Sequence, residues 1–465
     1  MSMHESLTEL IGDTPLVRLR RVVAPRSAPL YAKVEYLNPG GSVKDRIALR
    51  MVEAAEADGL LRPGGTLVEP TSGNTGVGLA IVAQQKGYRC VFTCPDKVSR
   101  DKIDVLRAYG AEVIVCPAAV RPEHPASYRS QATRVAAERP GAVQLNQYAN
   151  GNNPDSHYRG TGPELWRQTE GRLTHFVTGI GTGGTISGTG RYLKEVSGGS
   201  VKIIGVDPDG SIYSGGEGRP YLLEGVGQPS FPASYDPTVV DEIIAVTDAE
   251  AILMTRRLAR EEALLTGGSG GMAAEAAVRV AAGLGPGTLA VVLIPDSGRG
   301  YLSKIFNDSW LAALGLYDPP TTRPRVRDVA PAGPLPLIRP DETLANAVKT
   351  LRATEGGHLL VSAAPPPVRL AEIVGTVTDA VLVAALAGGA DLGDPVGAHL
   401  KPPPPQVGAG QPLSAVTEML SDPSSAVLVV DDGRPCCLLT AADLVALLAA
   451  RRPDAAARSP VLGGT

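Results

Sequence analysis

Between Leu30 and Asn307 the chain alternates short β-branched apolar runs with longer stretches whose apolar residues recur at helical spacing. The runs 30–37, 66–69, 90–93, 112–116, 175–180, 202–206 and 289–294 are predicted as strands. Helices are predicted over 43–58, 75–86, 99–109, 185–194, 248–265 and 270–281, with Ser99 and Asp248 as N-caps. Several strands are apolar on both faces, among them Val201-Lys-Ile-Ile-Gly-Val206. That pattern suits the centre of a sheet covered by helices on each side, so the predicted fold class is α/β.

The pattern changes after Tyr317. Asp318-Pro-Pro-Thr-Thr-Arg-Pro324 can neither continue a helix nor join a sheet. Beyond it, Asp341-Glu-Thr-Leu-Ala-Asn-Ala-Val-Lys-Thr-Leu351 resembles Gly410-Gln-Pro-Leu-Ser-Ala-Val-Thr-Glu-Met-Leu420 at an offset of 69 residues, and each is followed by apolar strands. Two β-α-β-β-α repeats are expected. The predicted organisation is a front domain 1–317, a linker 318–333, repeats 334–392 and 393–451, and a disordered tail 452–465.

Charge narrows the possible partners. The 44 basic and 48 acidic residues are interspersed, which leaves no basic face for nucleic acid or anionic lipid. A small neutral or zwitterionic ligand fits better. Five cysteines, with Cys436 and Cys437 adjacent and no C-x-x-C pair, give neither a disulfide framework nor a metal motif. The six histidines have no metal spacing. The N-terminus lacks a signal pattern and no apolar run reaches the ~20 residues of a membrane span, so a cytoplasmic protein is expected.

Three segments carry candidate chemistry. In Asn38-Pro-Gly-Gly-Ser-Val-Lys44-Asp-Arg46 a glycine turn leads into a helix, and both the helix dipole and Arg46 disfavour an ammonium at Lys44. Such a lysine is suited to imine formation; the plainer alternative is one more solvated lysine. In Glu69-Pro-Thr-Ser-Gly-Asn-Thr-Gly-Val-Gly78 backbone N–H groups, with Thr71, Ser72 and Thr75, converge ahead of a helix, as a carboxylate or phosphate site requires and as any N-cap does. Gly179-Ile-Gly-Thr-Gly-Gly-Thr185 offers a dense set of N–H groups for a phosphate. It also fits G-x-G-x-x-G, with Asp207 where a dinucleotide site keeps its acid, but that reading gives Lys44 and the Ser-Gly-Asn-Thr run no role.

With Gly12-Asp-Thr-Pro-Leu16 and Leu265-Thr-Gly-Gly-Ser269-Gly-Gly, these segments resemble the fold type II pyridoxal-phosphate β-substitution enzymes over residues 7–316. The resemblance implies a tryptophan-synthase-β-like fold of two α/β subdomains and a pyridoxal 5′-phosphate cofactor. It makes Lys44 the imine lysine, Asn74 the partner of the ring oxygen and Ser269 the partner of the pyridine nitrogen. Gly181, Thr182, Gly183, Gly184 and Thr185 become the phosphate cradle, and Thr71, Ser72, Gly73, Thr75 and Gln147 the grip on the substrate carboxylate. A hydroxyl opposite the pyridine nitrogen makes the ring a moderate electron sink, which favours elimination at Cβ.

The repeats resemble a Bateman module, a pair of CBS domains, in which Thr440 and Asp443 are spaced to hold the ribose of S-adenosylmethionine or an adenine nucleotide; Val381 stands at the matching acidic position of the first repeat. With Tyr148-Ala-Asn150 and Gly298-Arg-Gly-Tyr301, the module points to the cystathionine β-synthases, and so to condensation of L-serine with L-homocysteine to cystathionine and water. A cysteine synthase using O-acetylserine and sulfide is the alternative, and Gln228, where relatives carry an aromatic or acidic residue, bears on that choice. Neither haem nor metal is expected. A homodimer or homotetramer is implied by the resemblance.

Overall fold

The computed structural model describes residues 3–71, 73–96, 98, 100–117, 124–331, 333–354, 357–422 and 425–450. Ser72, the predicted cap Ser99 and the tail 452–465 lie outside these described residues. The chain forms two compact units, 1–302 and 303–465.

The first unit runs β1 (Leu16–Leu19), β2 (Leu30–Val34), α1 (Lys44–Ala57), β3 (Thr66–Pro70), α2 (Asn74–Lys86), β4 (Arg89–Pro95), α3 (Arg100–Ala108), β5 (Glu112–Cys116), α4 (Tyr128–Glu138), β6 (Ala142–Gln144), α5 (Asn152–Ser156), α6 (Gly162–Gln168), β7 (His175–Gly179), α7 (Gly184–Val196), β8 (Lys202–Pro208), β9 (Glu242–Val246), α8 (Asp248–Glu261), α9 (Gly268–Gly283) and β10 (Ala290–Ile294). Two sheets result. A parallel one has the order β5-β4-β3-β6, and a six-stranded one has the order β1-β2-β10-β7-β8-β9, parallel except at its edge strand β1. Each central strand is buried on both faces: Leu67, Phe92, Phe176, Ile203 and Val292 are fully enclosed. The β-crossover-β connections then place the helix N-termini that follow β3 and β7 at the carboxyl ends of those strands, where open parallel sheets bind ligands.

Two further contacts bring the site elements together. Helices α1 and α2 pack closely through Gly78, where an added Cβ would lie 3.1 Å from the Lys44 carbonyl oxygen. The segment after β10 ties in the rest: Val43 N donates to Pro295 O at 2.8 Å, Ser297 N to Gly41 O at 3.2 Å and Thr266 Oγ1 to Asp296 O at 3.0 Å. The turn ahead of Lys44 and the turn ahead of Ser269 are therefore stitched to one strand end.

The second unit contains α10 (Asp308–Ala313), β11 (Leu337–Ile338), α11 (Leu344–Arg352), β12 (His358–Ser362), β13 (Ile373–Thr378), α12 (Asp379–Ala387), β14 (Gln406–Gly408), β15 (Ala426–Asp431), β16 (Arg434–Thr440) and α13 (Ala441–Ala450). Its two sheets, β11-β12-β13 and β14-β15-β16, share one plan: a parallel pair, then an antiparallel pair. The expected helix over 410–420 is the exception, because only a 3-10 turn, Leu413–Ala415, forms there. Pro412 and the hydroxyls of Thr417 and Ser421, which donate to Ser414 O and Glu418 O, compete with helical bonding. Among the described residues no helix is long and apolar enough to cross a membrane.

Candidate active site

A cavity of about 560 Å³ lies at the strand ends of the first unit, within the range of roughly 300–1,000 Å³ that suits small-molecule sites. Its wall includes Lys44, Thr71, Gly73, Asn74, Thr75, Gln147, Gly181, Thr182, Gly183, Thr185 and Ser269. The structure thus brings together nearly every residue that the sequence singled out here. Gly184 is set back in the turn, where an added Cβ would strike Asn153 Oδ1 at 1.9 Å.

Lys44 begins α1. Burial pulls its amine below the ordinary lysine range, while the negative charges of Asp296 and Glu35 oppose that shift. The sequence reading credits the helix dipole and Arg46; burial is the leading cause instead, and for Arg46 this is a correction. The Arg46 guanidinium is taken up by carboxylates, with bonds to Glu35 at 2.7 and 2.9 Å and to Glu164 at 2.7 Å. Lys33 Nζ also donates to Glu164 at 2.7 Å, which completes a buried network beneath the Lys44 turn.

The phosphate-type turn is built from glycines that no other residue could replace in place. Gly183 has φ +85°, and an added Cβ would lie 2.5 Å from Tyr235; at Gly181 it would lie 2.4 Å from Gly225 O. Side chains then fix the turn. Tyr213 OH donates to Gly181 O at 2.8 Å, Ser234 Oγ to Thr182 O at 2.6 Å and Asn153 Nδ2 to Thr182 Oγ1 at 3.0 Å. Thr185 Oγ1 lies 3.2 Å from Nε2 of His157, a buried imidazole that burial and Arg46 hold neutral, at a pKa of about 3. The turn opens α7, whose N–H groups and dipole favour an anion.

Opposite the turn, Thr75 Oγ1 donates to Gln147 Oε1 at 2.8 Å. Glu69 positions that glutamine by accepting from Asn146 N at 2.8 Å and Gln147 N at 3.0 Å. Burial raises the Glu69 carboxyl to about 7 in spite of these bonds. Ser269, on the first turn of α9, is 5% exposed and faces the cavity. At the rim, Lys102 pairs with Glu224 and lies 5.0 Å from the Tyr301 ring centroid.

Asp207 does not behave as a dinucleotide acid. Its Oδ2 accepts from Ser214 N and Oγ, both at 2.9 Å, and the residue is fully buried away from the cavity wall. Glu69, Asn153, His157 and Asp296 were missed by sequence reasoning, since each bonds to a segment far away in the chain, whereas Tyr301, named only as part of a motif, bonds to Asp296 five residues before it. In the second unit the Asp443 carboxylate accepts from Thr440 N and Oγ1, both at 2.7 Å, and caps α13. Among the described residues no cluster of His, Cys, Asp and Glu is arranged to hold a metal ion.

The turn suits a phosphate, and the buried Lys44 amine, drawn below the ordinary lysine range, shares the cavity with it; pyridoxal phosphate fits such a pairing. Comparison with known proteins agrees. The family profile described as pyridoxal-phosphate dependent enzyme matches residues 7–296, and the CBS domain profile matches 396–450. The chain is 41% identical over 399 residues to a cystathionine β-synthase of Oryctolagus cuniculus, which covers 82% of this chain and 71% of that protein. Across the similar animal proteins it spans 62 to 71% of their length. It is 44% identical to a cysteine synthase of Staphylococcus aureus over 64% of this chain and 96% of that one. The solved structure of O-ureido-L-serine synthase superposes with a TM-score of 0.63 at 37% identity, covering 67% of this chain and all of that chain.

Proposed function

The chain belongs to the pyridoxal-phosphate-dependent enzyme family, and from that premise we propose that it joins L-serine to L-homocysteine, releasing water and forming cystathionine. The observation that carries the reading is the sharing of one cavity by Lys44 and the 181–185 turn. When bound, pyridoxal phosphate supplies an aldehyde that condenses with amines and a ring that takes up the electron pair left on Cα.

The protein's residues do the rest. Gly181, Thr182, Gly183, Gly184 and Thr185 bind the phosphate. Lys44 Nζ holds the cofactor and, once released, moves the proton at the substrate Cα, aided by an amine that burial keeps from being a fully stabilised ammonium. Asn74 and Ser269 orient the ring. Thr71, Gly73, Thr75 and Gln147 bind the substrate carboxylate, and Ser72 is assigned with them by resemblance. The same reading gives residues 1–317 the catalytic role, 318–333 the linker and 334–392 with 393–451 the paired CBS repeats. An adenosyl ligand at Thr440 and Asp443, and a homo-oligomer, belong to it as well.

A cysteine synthase reading has its own support in the likeness to the Staphylococcus aureus protein over nearly that protein's full length. The experiment offers serine and O-acetylserine, each with homocysteine and with sulfide, and identifies the products by mass. Cystathionine from serine supports the first reading; product only from O-acetylserine and sulfide overturns it.

A further inference from the structure

Asp296 has no role in the reading above, yet it stands among the residues that do. It lines the cavity, is 3% exposed and comes just after β10, with Pro295 between. Oδ2 accepts from Asn74 Nδ2 at 2.9 Å and from Tyr301 OH at 2.7 Å. Oδ1 is buried and has no hydrogen-bond partner among the described residues. A side chain at position 267 would remove its space, since a Cβ there would lie 2.4 Å from Oδ1. Such an oxygen costs free energy unless the charge it carries is used: burial raises the Asp296 carboxyl above the ordinary carboxylate range, and the Tyr301 and Asn74 hydrogen bonds with the charges of Lys44 and Lys102 oppose that shift.

The backbone around it has no freedom to relieve that cost. The Asp296 carbonyl accepts from Thr266 Oγ1 at 3.0 Å and from Gly267 N at 3.3 Å, and its neighbours Pro295 and Ser297 are bonded to Val43 and Gly41. The carboxylate is therefore a fixed object against which Asn74 sets itself. An asparagine amide has a nitrogen side and an oxygen side, and only the nitrogen side can face a carboxylate. One N–H goes to Asp296; the second is left to the cavity.

We propose that Asp296 is a positioning residue of the cofactor site, which locks the Asn74 amide in one orientation and contributes its carboxylate to the same cavity wall as Lys44. The inference rests on the assignment of pyridoxal phosphate to this cavity. Together with Glu35, the Asp296 charge favours a protonated nitrogen at Lys44, and Tyr301 and Lys102 are the other titratable groups that act on the Asp296 carboxylate.

The test uses the full-length protein loaded with pyridoxal phosphate. Asp296→Asn keeps the shape and an acceptor for Asn74 but removes the charge; the midpoint of the pH titration of the cofactor's visible absorbance falls by about one unit or more, with cofactor content unchanged. Asp296→Ala and Asn74→Ala each weaken pyridoxal phosphate binding by roughly tenfold or more, and the double variant binds no more weakly than Asn74→Ala alone. An unmoved midpoint in Asp296→Asn, or losses that multiply in the double variant, overturns the inference. A wild-type protein without a visible band that Lys44→Ala abolishes would sink the cofactor assignment itself, a separate outcome.

Discussion

Lys44 and Glu164 are both ionisable groups removed from water, and their surroundings drive them in opposite senses. Lys44 has burial against it and only partial compensation from Asp296 and Glu35, so it is poised to lose its proton. Burial would raise Glu164, but the hydrogen bonds and charges of Arg46 and Lys33 outweigh it and hold the carboxyl at about 2. A carboxyl depressed below its unfolded value near 4.5 stabilises the fold above that value, and the contribution is lost as pH falls toward 2. For Glu164 this amounts to something on the order of 3 kcal/mol. Denaturant unfolding of the first unit followed from pH 6 to 2.5 checks it. Glu164→Gln should lose about 3–5 kcal/mol at pH 7, because buried Arg46 is left undercompensated, and should lose that part of the acid slope. A second residue-scale expectation concerns Lys44→Ala, which loses the borohydride-reducible visible band while far-ultraviolet circular dichroism stays unchanged; a retained band would place the imine elsewhere. Lys44 stood out through the glycine turn before it, Asn74 and Ser269 through the family resemblance of their glycine-rich runs, and all three line the cavity. Glu69, His157 and Asp296 were not legible in the sequence, because their partners stand 78, 28 and 222 residues away.

At the scale of elements, the cavity is made of strand-to-helix turns, and the glycines in them have distinct jobs. Gly183 combines a left-handed φ of +85° with contact against Tyr235, so Gly183→Ala is strained twice over. A non-glycine residue held in such a conformation costs about 1–3 kcal/mol, and the displaced turn should weaken pyridoxal phosphate binding by roughly tenfold or more. Equilibrium dialysis against the cofactor measures this, with Gly287→Ala as control: its φ is also positive, at +82°, but nothing lies within 4 Å of the added Cβ. Loss of affinity in Gly183→Ala alone is the expected result; equal affinity in both variants would show that the turn does not hold the phosphate. The long parallel strands were readable because burial on both faces leaves an uninterrupted apolar run, and most helices beside them were too, but not α4, which packs beside β3 and β4. β1, β6 and β9 escaped notice. Strand β6 has only three residues, and β1 is an antiparallel edge with polar Arg18 in its middle. Helix α5 has five residues with Pro154 inside, too short for a period to show. At 413–415 the reverse holds: helical spacing is present in the sequence, but Pro412 and local hydroxyl bonds prevail and only a 3-10 turn forms.

For the whole molecule, the informative feature is a repeat that is faithful in topology and unequal in chemistry. Both sheets of the second unit pair a short parallel strand with an antiparallel hairpin. At the start of the closing helix, however, the second repeat has Asp443 where the first has Val381. Thr378 accepts from Val381 N, so each helix keeps a threonine cap; α12 has its first-turn acid at Asp379, next to the cap, and only α13 has a carboxylate at the aligned later position, Asp443. That carboxylate already accepts two bonds from Thr440, and with about four acceptor positions it retains capacity for a ribose diol. A valine offers none. The expected stoichiometry for S-adenosylmethionine or ATP on the full-length protein is therefore one per chain rather than two. Calorimetric titration reads it directly, and Asp443→Asn should weaken binding by about tenfold, since a charge-assisted pair of bonds becomes a neutral one. Two ligands per chain would mean that the acidic position is not what selects the site; no heat with either ligand would leave the unit with a role in assembly.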